Sequence, residues 1–298
     1  MAAYAHRGKL LVGFILVYAL VSAWPVYAAL YVLGDSLSDV GALGFTYTNP
    51  ANMEPPENGQ VWPQYLSGST SAYCNGGQQC PFDGKTFYYS RTGNNYAVGG
   101  AGITFDSTDA KRHPNYTGLG YQITALVNAH VLTSNDVIAI WIGANDILKA
   151  AQKAGSAAGE VRLAAQVFRN ELSRLISHAN GARIHIFTIP DLGKTPAALG
   201  SVDAGILTNL SNQFNQAITA SLPASVYVID ANAIFVDLRK VMALTTVFCR
   251  RLIDPQHVCG KASNQLTPGV SPMAAVLFAD PLHPSIAAHR ELAKRLSF

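Results

Sequence analysis

The chain has 298 residues, of which 49% are hydrophobic and 13% charged. That length and balance suit a large α/β core and exclude a disordered chain. The formal charge is +3, and two of the bases, Arg7 and Lys9, fall in the first 28 residues, which hold no acid. The remainder is near neutral and lacks basic runs, which excludes the electrostatic footprint of a nucleic-acid partner.

Residues 1–28 read as an export signal. His6, Arg7 and Lys9 precede the apolar stretch Leu10–Ala23, and Val26-Tyr27-Ala28 offers small residues at −3 and −1 of a cut after Ala28. The apolar run is short for a membrane span of ~20 residues. A secreted location, extracellular or periplasmic, is the expectation.

The first predicted strand, Leu30–Leu33, runs into Gly34-Asp35-Ser36-Leu37-Ser38-Asp39. A serine at the end of a buried strand sits on a rigid element and faces the crevice, with its own N–H available to an oxyanion. Residues 42–120, rich in Gly, Pro, Asn and Tyr, then interrupt the regular pattern. They follow the carboxyl end of a strand, where open α/β sheets bind ligands. Within them, Asn95-Tyr96-Ala97-Val98-Gly99-Gly100-Ala101-Gly102 is a turn whose bare backbone can approach a substrate closely.

Strand Val137–Ile142 ends at Gly143-Ala144-Asn145-Asp146, which offers a side-chain amide. Val161, Ala164, Ala165, Phe168, Leu172, Leu175 and Ile176 share one face of a predicted helix. Strand Arg183–Ile189, helix Asn209–Leu222, strand Val226–Ile229 and helix Ala233–Leu244 follow. After an irregular stretch, 245–275, comes Asp280-Pro281-Leu282-His283 and a helix over Ser285–Leu296. Strands alternating with helices predict a parallel sheet covered on both faces.

The four cysteines allow three pairings, and the sequence alone does not choose among them. Their clustering suggests Cys74–Cys80 and Cys249–Cys259, disulfides suited to an oxidising compartment. No Cys-x-x-Cys spacing supports a zinc site, and no metal or cofactor is expected. Arg250 and Arg251 lie inside the second loop. An activating protease cutting there would loosen a lid without releasing a fragment; the alternative is a plain structural staple.

A serine hydroxyl is a weak nucleophile until a base takes its proton, and histidine is the usual base near neutral pH. His283 is suited to that role, with Asp280 holding its tautomer from the same loop. Each block alone is ordinary: Gly-Asp-Ser is a common turn, and Asp-x-x-His can simply lead into a helix. In the order Ser36, Gly99, Asn145, Asp280-x-x-His283, the set is specific.

With these blocks the chain resembles the GDSL, or SGNH, hydrolase family over residues 30–296. The resemblance implies a flavodoxin-like three-layer αβα fold around a central parallel sheet. It implies one hydrolase domain over 29–298, with insertions at about 42–120 and 245–275. Ser36 would attack the ester, His283 would act as base and then acid, and Asp280 would orient it. The N–H groups of Ser36 and Gly99 and the Asn145 amide would form the oxyanion hole. One departure is Leu33, where many relatives carry Phe.

The second and third blocks are similar to those of secreted bacterial phospholipase A and lysophospholipase A enzymes, some of them glycerophospholipid–cholesterol acyltransferases. That resemblance implies a lipid acyl ester as substrate and transient contact with a membrane surface. A short-chain carboxylesterase or choline esterase, a carbohydrate acetylesterase and an inactive binding module of the same fold remain alternatives.

Overall fold

The computed structural model describes residues 29–50, 59–66, 93–109, 117–153, 155–271 and 275–298. The expected export signal and the expected Cys74–Cys80 pair fall outside the described residues.

Four predicted strands are present as β1 (Leu30–Gly34), β2 (Val137–Trp141), β3 (Arg183–Phe187) and β4 (Val226–Ile229). They lie side by side in that order, all parallel, with Leu30 opposite Val137 and Ile184 opposite Val226. Every residue of β1 and β2 is buried. This is why they read as unbroken apolar runs rather than as alternating patterns. A further rung extends the sheet beyond β1. Val32 donates to the Asn94 carbonyl at 2.9 Å, and Tyr96 and Val98 donate to Val32 and Gly34 at 2.7 and 3.2 Å. With that rung counted, the strands run second, first, third, fourth, fifth across the sheet, the flavodoxin-like order. The point where the order reverses lies between β1 and β2, and Ser36 and Asn145 stand just beyond their ends.

The helices are α1 (Leu119–Ala129), α2 (Ala144–Ala151), α3 (Ala157–Ile176), α4 (Ala204–Thr219), α5 (Ala231–Val241) and α6 (Ile286–Ala293). The first four pack against one another, while α5 packs against α6. Together they give the three-layer αβα fold. The apolar stripe of α3 is buried from Val161 to Leu175, as its period of 3.6 requires.

Some boundaries differ from the sequence reading. Helix α4 starts ahead of Asn209 and stops short of Leu222. Helix α5 ends at Val241, because Met242 is extended and Ala243–Val247 form a strand, β5, parallel to β6 (Val276–Phe278). The sequence reading anticipated neither β5 and β6 nor two of the helices: α1, which begins inside the Gly-rich stretch, and α2, whose Gly-Ala-Asn-Asp start reads as a loop.

Beside the main core lies a smaller cluster of Phe45, Tyr47, Phe248, Ile253, Val276 and Ala279. It includes Cys249 and Cys259, which are joined by a disulfide with Cα atoms 5.6 Å apart. Among the described residues no helix is long and apolar enough to cross a membrane.

Candidate active site

Helix α1 fixes the end of β1. The fully buried Gln122 side chain accepts the Gly34 N–H at 2.7 Å and donates back to its carbonyl at 2.8 Å. Gly34 has no room for a side chain, since a Cβ would stand 2.6 Å from the Trp141 carbonyl oxygen. The chain then turns sharply, with Asp35 Oδ1 accepting the Leu37 N–H at 3.0 Å. Asp35 is wholly buried, and burial pushes its pKa up to about 7 against the lowering effect of that N–H. Ser36 is thus set at the sheet end, with only 6% of its surface exposed.

The partner groups arrive on a different kind of element. Residues 277–285 fold back as a tight hairpin: Ala279 N–H donates to the His283 carbonyl at 2.7 Å, and Ser285 N–H donates to Leu277 at 2.9 Å. Asp280 and His283 flank its tip, and the Ser285 hydroxyl then caps α6 by accepting the Ala288 N–H. His283 Nε2 lies 3.0 Å from Ser36 Oγ, and its Nδ1 lies 2.7 Å from Asp280 Oδ2. Residues 247 positions apart are thereby brought into hydrogen-bond contact. With Asp280 charged, Nδ1 carries the proton and Nε2 is left to accept one from the serine.

Burial alone would lower the His283 pKa. The charge of Asp280 and its hydrogen bond, helped by Asp109 and Asp35, outweigh that and raise it above 6.5. The Tyr47 ring lies against the imidazole with centroids 5.1 Å apart, and its hydroxyl donates to Asp109 at 2.7 Å.

The expected oxyanion donors are arranged unevenly. The Ser36 N–H meets no acceptor among the described residues. Asn145 Nδ2 donates to the Ala101 carbonyl at 2.9 Å, which uses one of the two N–H bonds of the amide. The Gly99 N–H donates to Asp39 Oδ2 at 2.7 Å. A glycine is needed there: a Cβ would stand 2.0 Å from the Tyr47 ring. Its neighbour Gly100 has φ +73°, in the left-handed region that favours glycine.

The second and third blocks are tied together by Asp146. Its carboxylate accepts the Ile103 and Thr104 N–H groups at 2.8 and 3.1 Å and the Thr104 hydroxyl at 2.9 Å. Asp39 does similar work for the first and second blocks, accepting from Gly41 and Ala42 just after the first and from Gly99 in the second. Neither carboxylate was singled out by sequence reasoning, although both stand inside the blocks. Tyr47 and Ile253 carried no local signal at all.

A cleft opens beside Ser36 and His283. Its walls are mostly apolar, with Leu37, Leu148, Phe235, Phe278 and Leu282 among them, and Arg239 and Asp191 contribute the charged groups. No three His, Cys, Asp or Glu side chains converge as a metal site among the described residues.

Residues 30–296 match the family of GDSL-like lipases and acylhydrolases. A phosphatidylcholine-sterol acyltransferase of Aeromonas hydrophila is 26% identical over 199 residues, covering 64% of this chain and 53% of that protein. An uncharacterised protein of Pseudomonas putida is 27% identical, covering 90% of this chain and 47% of its own length. The chain thus spans about half the length of the curated relatives it matches. A lipolytic G-D-S-L family protein from Veillonella parvula has a TM-score of 0.48 at 14% identity, covering 90% of this chain and 94% of that one. The blocks around Ser36, Asn145 and His283 all fall inside the matched span, and the chain belongs to the GDSL-like lipase and acylhydrolase family of ester-bond hydrolases.

Proposed function

We propose that the protein hydrolyses acyl esters of phospholipids and lysophospholipids through an acyl-Ser36 intermediate. His283 Nε2 takes the Ser36 proton as Oγ adds to the ester carbonyl carbon, and the carbonyl pair moves onto oxygen. The Ser36 N–H and the second N–H of the Asn145 amide would hold that oxyanion. Gly99 would join them by exchanging its bond to Asp39. Collapse expels the alcohol, which leaves with the proton from His283. Water then repeats the two steps on the acyl-serine, releasing the fatty acid and restoring the enzyme. A sterol hydroxyl in place of that water would make the same intermediate an acyl donor, the activity in the name of the Aeromonas relative.

The observation that carries the lipid reading is the cleft. Apolar walls suit an acyl chain, and Arg239, half buried at the end of α5, offers a guanidinium to a phosphodiester. Burial lowers the Arg239 pKa and Asp191 raises it, and an arginine stays charged in either case. Export after cleavage near Ala28, as a single hydrolase domain, belongs to the same reading and is supported by the Cys249–Cys259 disulfide.

The test compares lysophosphatidylcholine with a monoacylglycerol of the same chain length, p-nitrophenyl acetate and acetylated xylan. Arg239→Gln should lower kcat/KM on lysophosphatidylcholine roughly tenfold or more, as expected for a hydrogen bond between charged groups, and leave monoacylglycerol hydrolysis unchanged. Equal loss on both lipids would sink the headgroup assignment. Preference for the acetylated substrates would instead make this a short-chain or carbohydrate esterase.

A further inference from the structure

We propose that the Cys249–Cys259 loop positions the catalytic carboxylate, with the backbone N–H of Ile253 as the positioning group. This inference rests on the Ser36 mechanism above. Asp280 receives hydrogen bonds of two kinds. Its Oδ1 is held locally by the N–H groups of Leu282 and His283, at 2.7 and 2.6 Å, within the hairpin itself. Its Oδ2, the oxygen bonded to the imidazole, also accepts the Ile253 N–H at 2.6 Å, from 27 residues earlier in the chain. Local bonds to Oδ1 leave the carboxylate able to rock about its Cβ–Cγ bond. A second donor on Oδ2 fixes the plane and so the direction in which the imidazole points.

The loop is built to hold that N–H still. The Ile253 side chain is 1% exposed and packs in the small cluster with Phe45, Tyr47, Phe248 and the disulfide. The buried Asn264 grips the loop from inside, accepting the Arg251 N–H at 2.9 Å and donating to the Arg251 and His257 carbonyls at 3.0 and 2.9 Å. Cys249 N–H bonds the carbonyl of Ala279, the residue before Asp280, at 2.7 Å. The cluster also contains Tyr47, whose ring lies on His283. The loop therefore acts on Asp280 through a hydrogen bond and on His283 through packing. None of residues 249–259 lines the cleft beside Ser36. An effect on turnover without an effect on substrate binding is the signature that follows.

The experiment measures kcat and KM on a soluble p-nitrophenyl ester, with near-UV circular dichroism to confirm folding, using the full disulfide-bonded chain. Ile253→Pro removes the N–H, whereas Ile253→Val keeps it with most of the packing. The proline variant should lose roughly 10–100-fold in kcat, the range expected for a lost hydrogen bond to a charged group. Its KM should stay within about twofold of wild type, and the valine variant should stay within about twofold in both. A folded Ile253→Pro with wild-type kcat overturns the proposal, and so does an equal loss in the valine variant. If the proline variant does not fold, replacing Ile253 by its α-hydroxy analogue removes the N–H alone, with the same expected and overturning results. Ser36→Ala in the same assay keeps the two readings apart: an active, folded Ser36→Ala overturns the acyl-serine mechanism whatever Ile253 does.

Discussion

Ser36 stands at the end of β1, a strand buried on both faces and paired along its length with β2. Asp280 and His283 stand on a hairpin beyond the short strand β6, outside the four-stranded sheet. Ser36 inherits its position from strand register, which a parallel sheet fixes at every rung. The hairpin that carries Asp280 and His283 is tied to distant segments by single hydrogen bonds: Ile253 to Asp280, Cys249 to Ala279 and Ala197 to Pro281. One half of the site is rigid because the core is rigid. The other is rigid only as long as several separate contacts persist.

The largest effect tests whether the halves work as one unit. Ser36→Ala should abolish hydrolysis, a loss of ~10⁶-fold in kcat if the triad behaves as in other serine hydrolases, with the melting temperature preserved. Appreciable turnover by the folded variant would mean the sheet end is not the reacting half. Next comes the sheet half alone. Asn145→Ala should cost ~10²–10³ in kcat with little change in KM if the amide donates to the oxyanion. A lower melting temperature with full activity per folded molecule would show instead that the amide serves only the Ala101 carbonyl.

The smallest effect concerns the hairpin half and is read as a pH shift. If His283 is the base, catalysis needs it neutral and activity rises with pH through its pKa. That pKa is raised by Asp280, Asp109 and Asp35 over the opposing effect of burial, and the acid limb of kcat/KM should therefore lie above that of an ordinary histidine. Asp109→Asn removes one of those charges and should move the limb to lower pH while the plateau rate holds. An unmoved limb would show that Asp109 acts only on the Tyr47 hydroxyl.

The same division explains what the sequence made legible. Apolar runs announced β1, β2 and β3, because burial on both faces leaves a compositional mark, whereas β4, exposed at Tyr227 and Val228, was read from its β-branched and aromatic residues. Ser36, Asn145, Asp280 and His283 stood out because their side chains match known chemistry at the right places in the chain. The rung at 94–98 did not, since Asn94 and Asn95 are poor strand formers and the segment joins the sheet by pairing with β1. The bond from the Gly99 N–H to Asp39 depends on how the two blocks meet in space. Ile253 was invisible for a simpler reason: a backbone N–H carries no side-chain signature, and only the folded loop brings it to Asp280.

The disulfide gives the second half of the site a dependence on where the chain is. Cys249 and Cys259 can join only under oxidising conditions. In reducing surroundings the chain would carry the hairpin and its histidine but not the crosslink that closes the loop behind Asp280. With Ile253 as the positioning group, turnover would then follow the oxidation state of this one cysteine pair, although neither sulfur touches the cleft.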